Sequence, residues 1–123
     1  ALIYSDPVFF LFFRFLVYAA WICLREKGEH LCGQRFCTAL RHYDEHLGAT
    51  GKYHETVSRA LLALLAEAMR RQPGADFDAL ATSLPELFTD AQGLLGRHYS
   101  PERLAEDAAL ASFVEPDRVP LPG

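Results

Sequence analysis

The chain has 123 residues, of which 50% are hydrophobic and 23% are charged, a composition typical of a folded globular domain. This length predicts a single domain, residues 1–123, that is large enough to bury a core. The net charge of −4 provides no basic surface for nucleic acid or for an anionic membrane, so we exclude a nucleic-acid partner.

The number and spacing of the cysteines indicate the cellular compartment of the protein. Cys23, Cys32 and Cys37 form neither an even disulfide set nor a CxxC metal motif. We therefore interpret them as reduced core thiols of an intracellular, cytoplasmic protein. The sequence predicts no cofactor and no metal centre.

The first predicted helix begins at Ser5-Asp6-Pro7, a capping side chain followed by proline, and ends near Lys27, with Gly28 in the left-handed closing position. Residues 8–24, VFFLFFRFLVYAAWICL, contain one charge, Arg14, and seven aromatic rings. Because this helix is apolar nearly all round, it is expected at the centre of a bundle, under a partner chain or in a membrane. The run is shorter than the roughly 20 apolar residues of a spanning helix, and its flanking charges are not those of a signal peptide, so we favour the buried helix.

The following elements are also helical. Periodicity predicts an amphipathic helix over residues 29–47 and another over residues 53–71, which ends before Pro73-Gly74. Shorter helices are expected at 76–82, at 85–95 with Ser83 as its cap, and from the Ser100-Pro101 start to about residue 110. Residues 113–123 hold three prolines and predict an extended C-terminal strap. The fold class is therefore all-α, an orthogonal bundle of five or six helices around the hydrophobic first one.

Three polar residues are candidates for general acid–base chemistry. His54 projects close to the apolar stripe of the third helix, where an imidazole can act as a base or ligand or can simply be a hydrogen-bonded core residue. Glu55 projects away from that stripe and favours the helix dipole in a first turn. Asp44 lies beside the stripe of the second helix and, like Glu55 or a helix C-terminus, could pair with a buried Arg14.

Two other patterns concern ligands. His42 and His46 have the i, i+4 spacing of a helical metal pair, but two imidazoles alone make a weak site, and surface histidines are the favoured interpretation. The large rings on all sides of the first helix exceed what a core requires, which indicates either a cavity for an apolar ligand or a subunit interface.

The sequence resembles a family of small, all-helical bacterial proteins of uncharacterised function that carry a GKYHET-type motif. The residues that carry the resemblance are Pro7, Ala20-Trp21, the GKYHET segment at 51–56, the RHYS segment at 97–100 and the FVEPD segment at 113–117. The resemblance implies a single helical domain and no particular activity. Family members have an HRxH motif before the Ala-Trp pair, whereas this chain has Phe13-Arg14-Phe15-Leu16.

Loss of both histidines near His54 is the change expected if a polar site became an apolar pocket, by divergence or by engineering. Our first hypothesis is a binding site for an apolar or aromatic small molecule, with His54 as polar handle and Arg14 or Tyr43 assisting. Its candidate lining residues are Phe10, Phe13, Arg14, Leu16, Phe36 and Tyr43.

Two further hypotheses belong to other classes. The first is an enzyme that uses His54, or Asp44 or Glu55, as general base for proton abstraction. The second is an interaction protein, a homodimer formed through the first helix. A residual metal site of His54 with His42 or His46 ranks last.

Overall fold

A computed structural model describes residues 7–46 and 54–122, and within that part the side chains of residues 7–13, 29, 39–40 and 42–46 lie outside the description. All regular structure in these residues is helical, which confirms the predicted all-α class. The eight helices are α1 (Pro7–Lys27), α2 (Glu29–His46), α3 (Glu55–Arg71), α4 (Phe77–Ser83), α5 (Glu86–Thr89), α6 (Ala91–Gly96), α7 (Pro101–Leu104) and α8 (Asp107–Ala111).

The first two helices form a hairpin because Gly28 ends α1 with φ +83°, a left-handed conformation that glycine adopts without steric cost. Gly74 has the same φ after α3. Both turns were predicted from the sequence. Among the described helices, none is long and apolar enough to cross a membrane.

The predicted helices at 85–95 and from residue 100 to 110 are each interrupted. Asp90 adopts φ −153°, and its carboxylate accepts a hydrogen bond from the N–H of Gly93, so that it ends α5 and starts α6. Glu106 is extended and separates α7 from α8. Ser83 was expected to cap the helix after it, but its hydroxyl instead donates backward to Leu80 O at 2.7 Å. These interruptions explain why the helices outnumber the five or six predicted.

Two apolar clusters hold the helices together. The larger one lies between α1, α2, α3 and the α4–α6 segment and centres on Trp21, Leu65, Phe77 and Leu80. The smaller one, with Tyr99 at 1% exposure, joins α3 and α6 to the C-terminal strap. Helix α3 packs against α1, α2, α4, α6 and α8, so it has neighbours on several sides.

Candidate functional site

His54 is the residue immediately before α3 and caps that helix. The backbone N–H of Val57 donates to His54 Nδ1 at 3.2 Å. Because Nδ1 accepts this bond, the ring proton is on Nε2, which donates to the carbonyl of Leu104 at 2.9 Å. The neutral imidazole therefore joins α3 to α7 and has both nitrogens engaged. The helix predicted from residue 53 begins at Glu55 because His54 has an extended backbone.

Glu55 is buried, contrary to the outward projection expected from helical periodicity. The reason is tertiary, since α2 packs against α3 and brings Arg41 to that side of the helix. Arg41 Nη2 lies 2.7 Å from Glu55 Oε1, and Arg59 Nε lies 2.7 Å from Glu55 Oε2. Both carboxylate oxygens are thus bound by guanidinium groups, which compensates for the desolvation of the charge. This Arg41–Glu55–Arg59 group is called the arginine cluster below.

Beside the arginine cluster lies an open groove of about 560 Å³ between α3, α8 and the strap. Its charged lining residues are those of the arginine cluster, and Ser112 adds a further polar group. The remaining lining is apolar: Ala63, Ala111, Phe113, Leu121 and Pro122. Phe113 is 41% exposed, which leaves a large part of its surface available for contact. The groove therefore combines a mainly apolar lining with one cluster of charged groups.

The strap forms one wall of this groove because side chains from the helices bind its backbone. Thr56 donates to Ser112 O at 2.8 Å and accepts from the N–H of Val114 at 3.2 Å. The hydroxyl of Tyr99 donates to Val114 O at 2.7 Å. Both backbone groups of Val114 are therefore held, one by α3 and the other by the RHYS segment.

The second half of the strap is bound to the RHYS segment itself. His98 Nδ1 donates to Val119 O at 2.8 Å, and the N–H of Arg118 donates to His98 O at 3.0 Å. The carboxylate of Asp117 accepts from the N–H of Ser100 at 2.8 Å and from its hydroxyl at 2.6 Å. These two bonds hold the pKa of Asp117 below its usual value of 3.8. Thr56 of the GKYHET segment and the RHYS segment thus both bind the strap.

The described residues of the predicted aromatic pocket lie elsewhere. Arg14 stacks near Phe77 and Phe88, with its Cζ 5.4 Å and 5.1 Å from the two ring centroids. Its anionic neighbour is the exposed Asp78 at 3.8 Å. Of the acceptors named for Arg14 in the sequence, Glu55 is therefore wrong, and Asp44 lies outside the described side chains. Leu16 is half-buried.

The larger cluster is filled by its own side chains at the junction of α1, α3, α4 and α5. Val17, Leu65 and Phe77 leave no room between them for a water molecule, since the volume available there is about 0 Å³. Phe36 packs against the same cluster from α2. These residues therefore stabilise the core and do not line the open groove.

Several sequence candidates lie outside the described side chains, namely Phe10, Phe13, His42, Tyr43, Asp44 and His46. Their predicted roles stay predictions. Within the part of the chain that is described, no group of three or more His, Cys, Asp or Glu side chains could hold a metal ion. The thiols of Cys32 and Cys37 are buried, as predicted, and burial together with the neighbouring Cys23 thiol raises the pKa of Cys32 to about 12.

Arg41, Arg59 and Phe113 were not predicted from the sequence as residues of one site. The i, i+4 spacing of Glu55 and Arg59 was a readable signal for their ion pair, whereas the contribution of Arg41 and Phe113 depends on the path of the chain. No family model, curated protein or solved structure matches the chain.

Proposed function

We propose that the protein binds an apolar or aromatic small molecule in the groove between α3, α8 and the strap. The observation that carries this proposal is the groove of about 560 Å³, with its mainly apolar lining and one cluster of charged groups. Small-molecule sites commonly occupy roughly 300–1,000 Å³ and combine a mainly apolar lining with a few placed polar groups. The groove has both properties.

The polar handle in this proposal is the arginine cluster and not His54. Neither nitrogen of His54 is available without loss of the α3 cap or of the bond to Leu104. Arg41 lines the groove, and 48% of its side chain is exposed. The histidine accordingly supports the site by holding α7 against α3.

The test is a fluorescence titration with N-phenyl-1-naphthylamine, a neutral aromatic dye whose emission rises in an apolar site. Ala111→Trp should fill the groove and weaken binding by about tenfold or more, since each tenfold corresponds to about 1.4 kcal/mol of lost contact. Ala79→Trp is the matched control, because Ala79 is exposed on α4 and does not line the groove. If the dye signal does not saturate, or if the dye binds both variants equally, the groove is excluded as the binding site.

A second candidate function, self-association through α1, is favoured by two exposed rings. Phe15 is 65% exposed and Tyr18 is 42% exposed, and their i, i+3 spacing places them side by side on the helix. Light scattering after gel filtration over a range of protein concentrations would test this hypothesis. A dimer that Phe15→Glu converts to monomer would support it, and a wild-type monomer at every concentration would refute it.

A further inference from the structure

Cys23 and Cys32 occupy matching positions on the two arms of the α1–α2 hairpin. Cys23 precedes the Gly28 turn by five residues, and Cys32 follows it by four. Since an α-helix rises about 1.5 Å per residue, the two cysteines are about 7.5 Å and about 6 Å from the turn, at nearly the same height. A disulfide joins residues whose Cα atoms are less than about 7 Å apart, so this alignment meets the first requirement for a bond between them.

The contacts between the two helices bring the sulfur atoms together. Cys32 Sγ lies 4.0 Å from the carbonyl oxygen of Ala20 in α1. A helix carbonyl points along the axis toward the residues three and four positions on, so an atom at this oxygen lies beside the side chain of Cys23. The thiols of Cys23 and Cys32 are hydrogen-bonded to each other, and both are free. The hairpin therefore holds an aligned dithiol.

The two thiols differ in their access to solvent. Cys23 is partly exposed, whereas Cys32 is 0% exposed. Burial, together with the hydrogen bond to Cys23, raises the pKa of Cys32 to about 12, so Cys32 stays protonated near neutral pH. Thiol–disulfide exchange begins with an accessible thiolate. Cys23 is therefore the sulfur that meets an external oxidant, and Cys32 reacts second.

Cys37 is the competing partner, since it is buried on α2 and lies close enough to Cys32 to affect its pKa through charge. It follows Gly28 by nine residues, about 13.5 Å from the turn, which is one helical turn beyond the height of Cys23. Cys32 and Cys37 are five residues apart, so their side chains leave α2 in directions about 140° apart. The geometry therefore favours Cys23 and Cys32 as the pair.

We propose that Cys23 and Cys32 form a redox modification site whose co-substrate is a small-molecule disulfide, R–S–S–R. The Cys23 thiolate attacks one sulfur of the co-substrate, which forms Cys23–S–S–R and expels R–S⁻; this anion takes up the proton that Cys23 has lost. The Cys32 sulfur then attacks the Cys23 sulfur, and its proton passes to the second departing R–S⁻. The dithiol is oxidised to the Cys23–Cys32 disulfide, and R–S–S–R is reduced to two molecules of R–SH. No cysteine lines the groove, so this inference is independent of the function proposed above.

The experiment incubates the folded protein with oxidised glutathione, blocks the remaining thiols with N-ethylmaleimide, and identifies linked peptides by mass spectrometry without reduction. In the wild-type protein we expect Cys23 joined to Cys32. Cys32→Ala should abolish this bond and leave glutathione on Cys23, because the second thiol is missing. Cys37→Ala is the matched control, since it removes another buried thiol from the same helix and should keep the Cys23–Cys32 bond.

The same reaction in concentrated urea shows whether the fold determines the pairing. An unfolded chain closes short loops more readily, so the Cys23–Cys32 share should fall in favour of Cys32–Cys37, which are closer in sequence. The proposal is refuted if glutathione stays on Cys23 of the folded wild-type protein, if neither thiol reacts, if Cys37 is joined to either of them, or if urea leaves the product ratio unchanged. This comparison needs the wild-type chain alone, so it decides the question even if Cys32→Ala does not fold.

Discussion

The strap can be loosened by a single substitution that hardly changes shape, Thr56→Val. Thr56 is 0% exposed, and its hydroxyl is the link between α3 and the strap. Valine replaces that hydroxyl by a methyl group of similar volume. The substitution therefore removes two hydrogen bonds, to Ser112 O and from the N–H of Val114, without leaving a large cavity.

The expected loss of stability depends on whether each former partner of the Thr56 hydroxyl can form a hydrogen bond to water instead. Ser112 is exposed, so its carbonyl can turn to water, and the loss is about 0.5–1 kcal/mol. Val114 is half-buried, so its N–H is left poorly solvated, at about 1–2 kcal/mol. The sum is about 2 kcal/mol, which for a chain of this size corresponds to a fall in Tm of about 5–10 °C.

Urea denaturation gives the change in the free energy of unfolding of the whole domain, and hydrogen exchange at residues 113–119 reports release of the strap alone. Thr38→Val is the matched control, because Thr38 is exposed and donates only to Gln34 O within α2, so it should cost less than about 0.5 kcal/mol. Tyr99→Phe removes the other hydrogen bond to Val114 and should combine with Thr56→Val less than additively. Wild-type stability together with wild-type exchange in Thr56→Val would refute the role of the Thr56 hydroxyl in holding the strap on α3.

Three other measurements test separate parts of the structure. The hydrogen bonds from Ser100 lower the pKa of Asp117, so their contribution is complete above the usual value of 3.8 and is lost as the pH falls through the folded pKa. The protection of amides near Asp117, measured relative to the intrinsic exchange rate at each pH, should therefore fall in acid, and Asp117→Asn should remove this pH dependence. Iodoacetamide should modify the partly exposed Cys23 well before the buried Cys32, whose pKa is about 12, and mass spectrometry of the peptides would reveal the opposite order. Gly28→Ala should destabilise by about 1–2 kcal/mol through its positive φ, measured by thermal melting, while Gly96→Ala, equally free of neighbouring atoms but without that φ, should not.

Local signals predicted the helices well because the cause of each boundary lies within a few residues. Gly28 and Gly74 end helices by their own conformational freedom, and Ser100-Pro101 begins one by a side-chain cap, with Ser100 accepting from the N–H of Arg103 at 3.1 Å. Asp90 carries the same kind of signal, an acidic cap three residues before Gly93, inside what periodicity indicates as one helix. Histidine is not a usual N-cap, so the start of α3 was placed too early.

The site was less predictable because its burial depends on segments far apart in the sequence. Periodicity assigns Glu55 to the polar side of α3, and it is indeed bound by charged groups, but one of these, Arg41, comes from α2 and helps to bury the carboxylate. Arg41 is 14 residues from Glu55, and Phe113 is brought near by hydrogen bonds of Thr56 over 56 and 58 residues. No window of a single helix contains this information.

The hydrogen-bonding residues of the GKYHET, RHYS and FVEPD segments have a structural role that also affects the groove. Thr56, Tyr99 and Ser100 hold the strap, and the strap supplies Phe113, Leu121 and Pro122 to the groove wall. A wall held by side-chain hydrogen bonds keeps its shape only while those bonds persist. Structural and ligand-binding roles are therefore not alternatives for these segments. If the groove binds its ligand as proposed, loosening the strap at Thr56 should weaken binding although Thr56 does not line the groove.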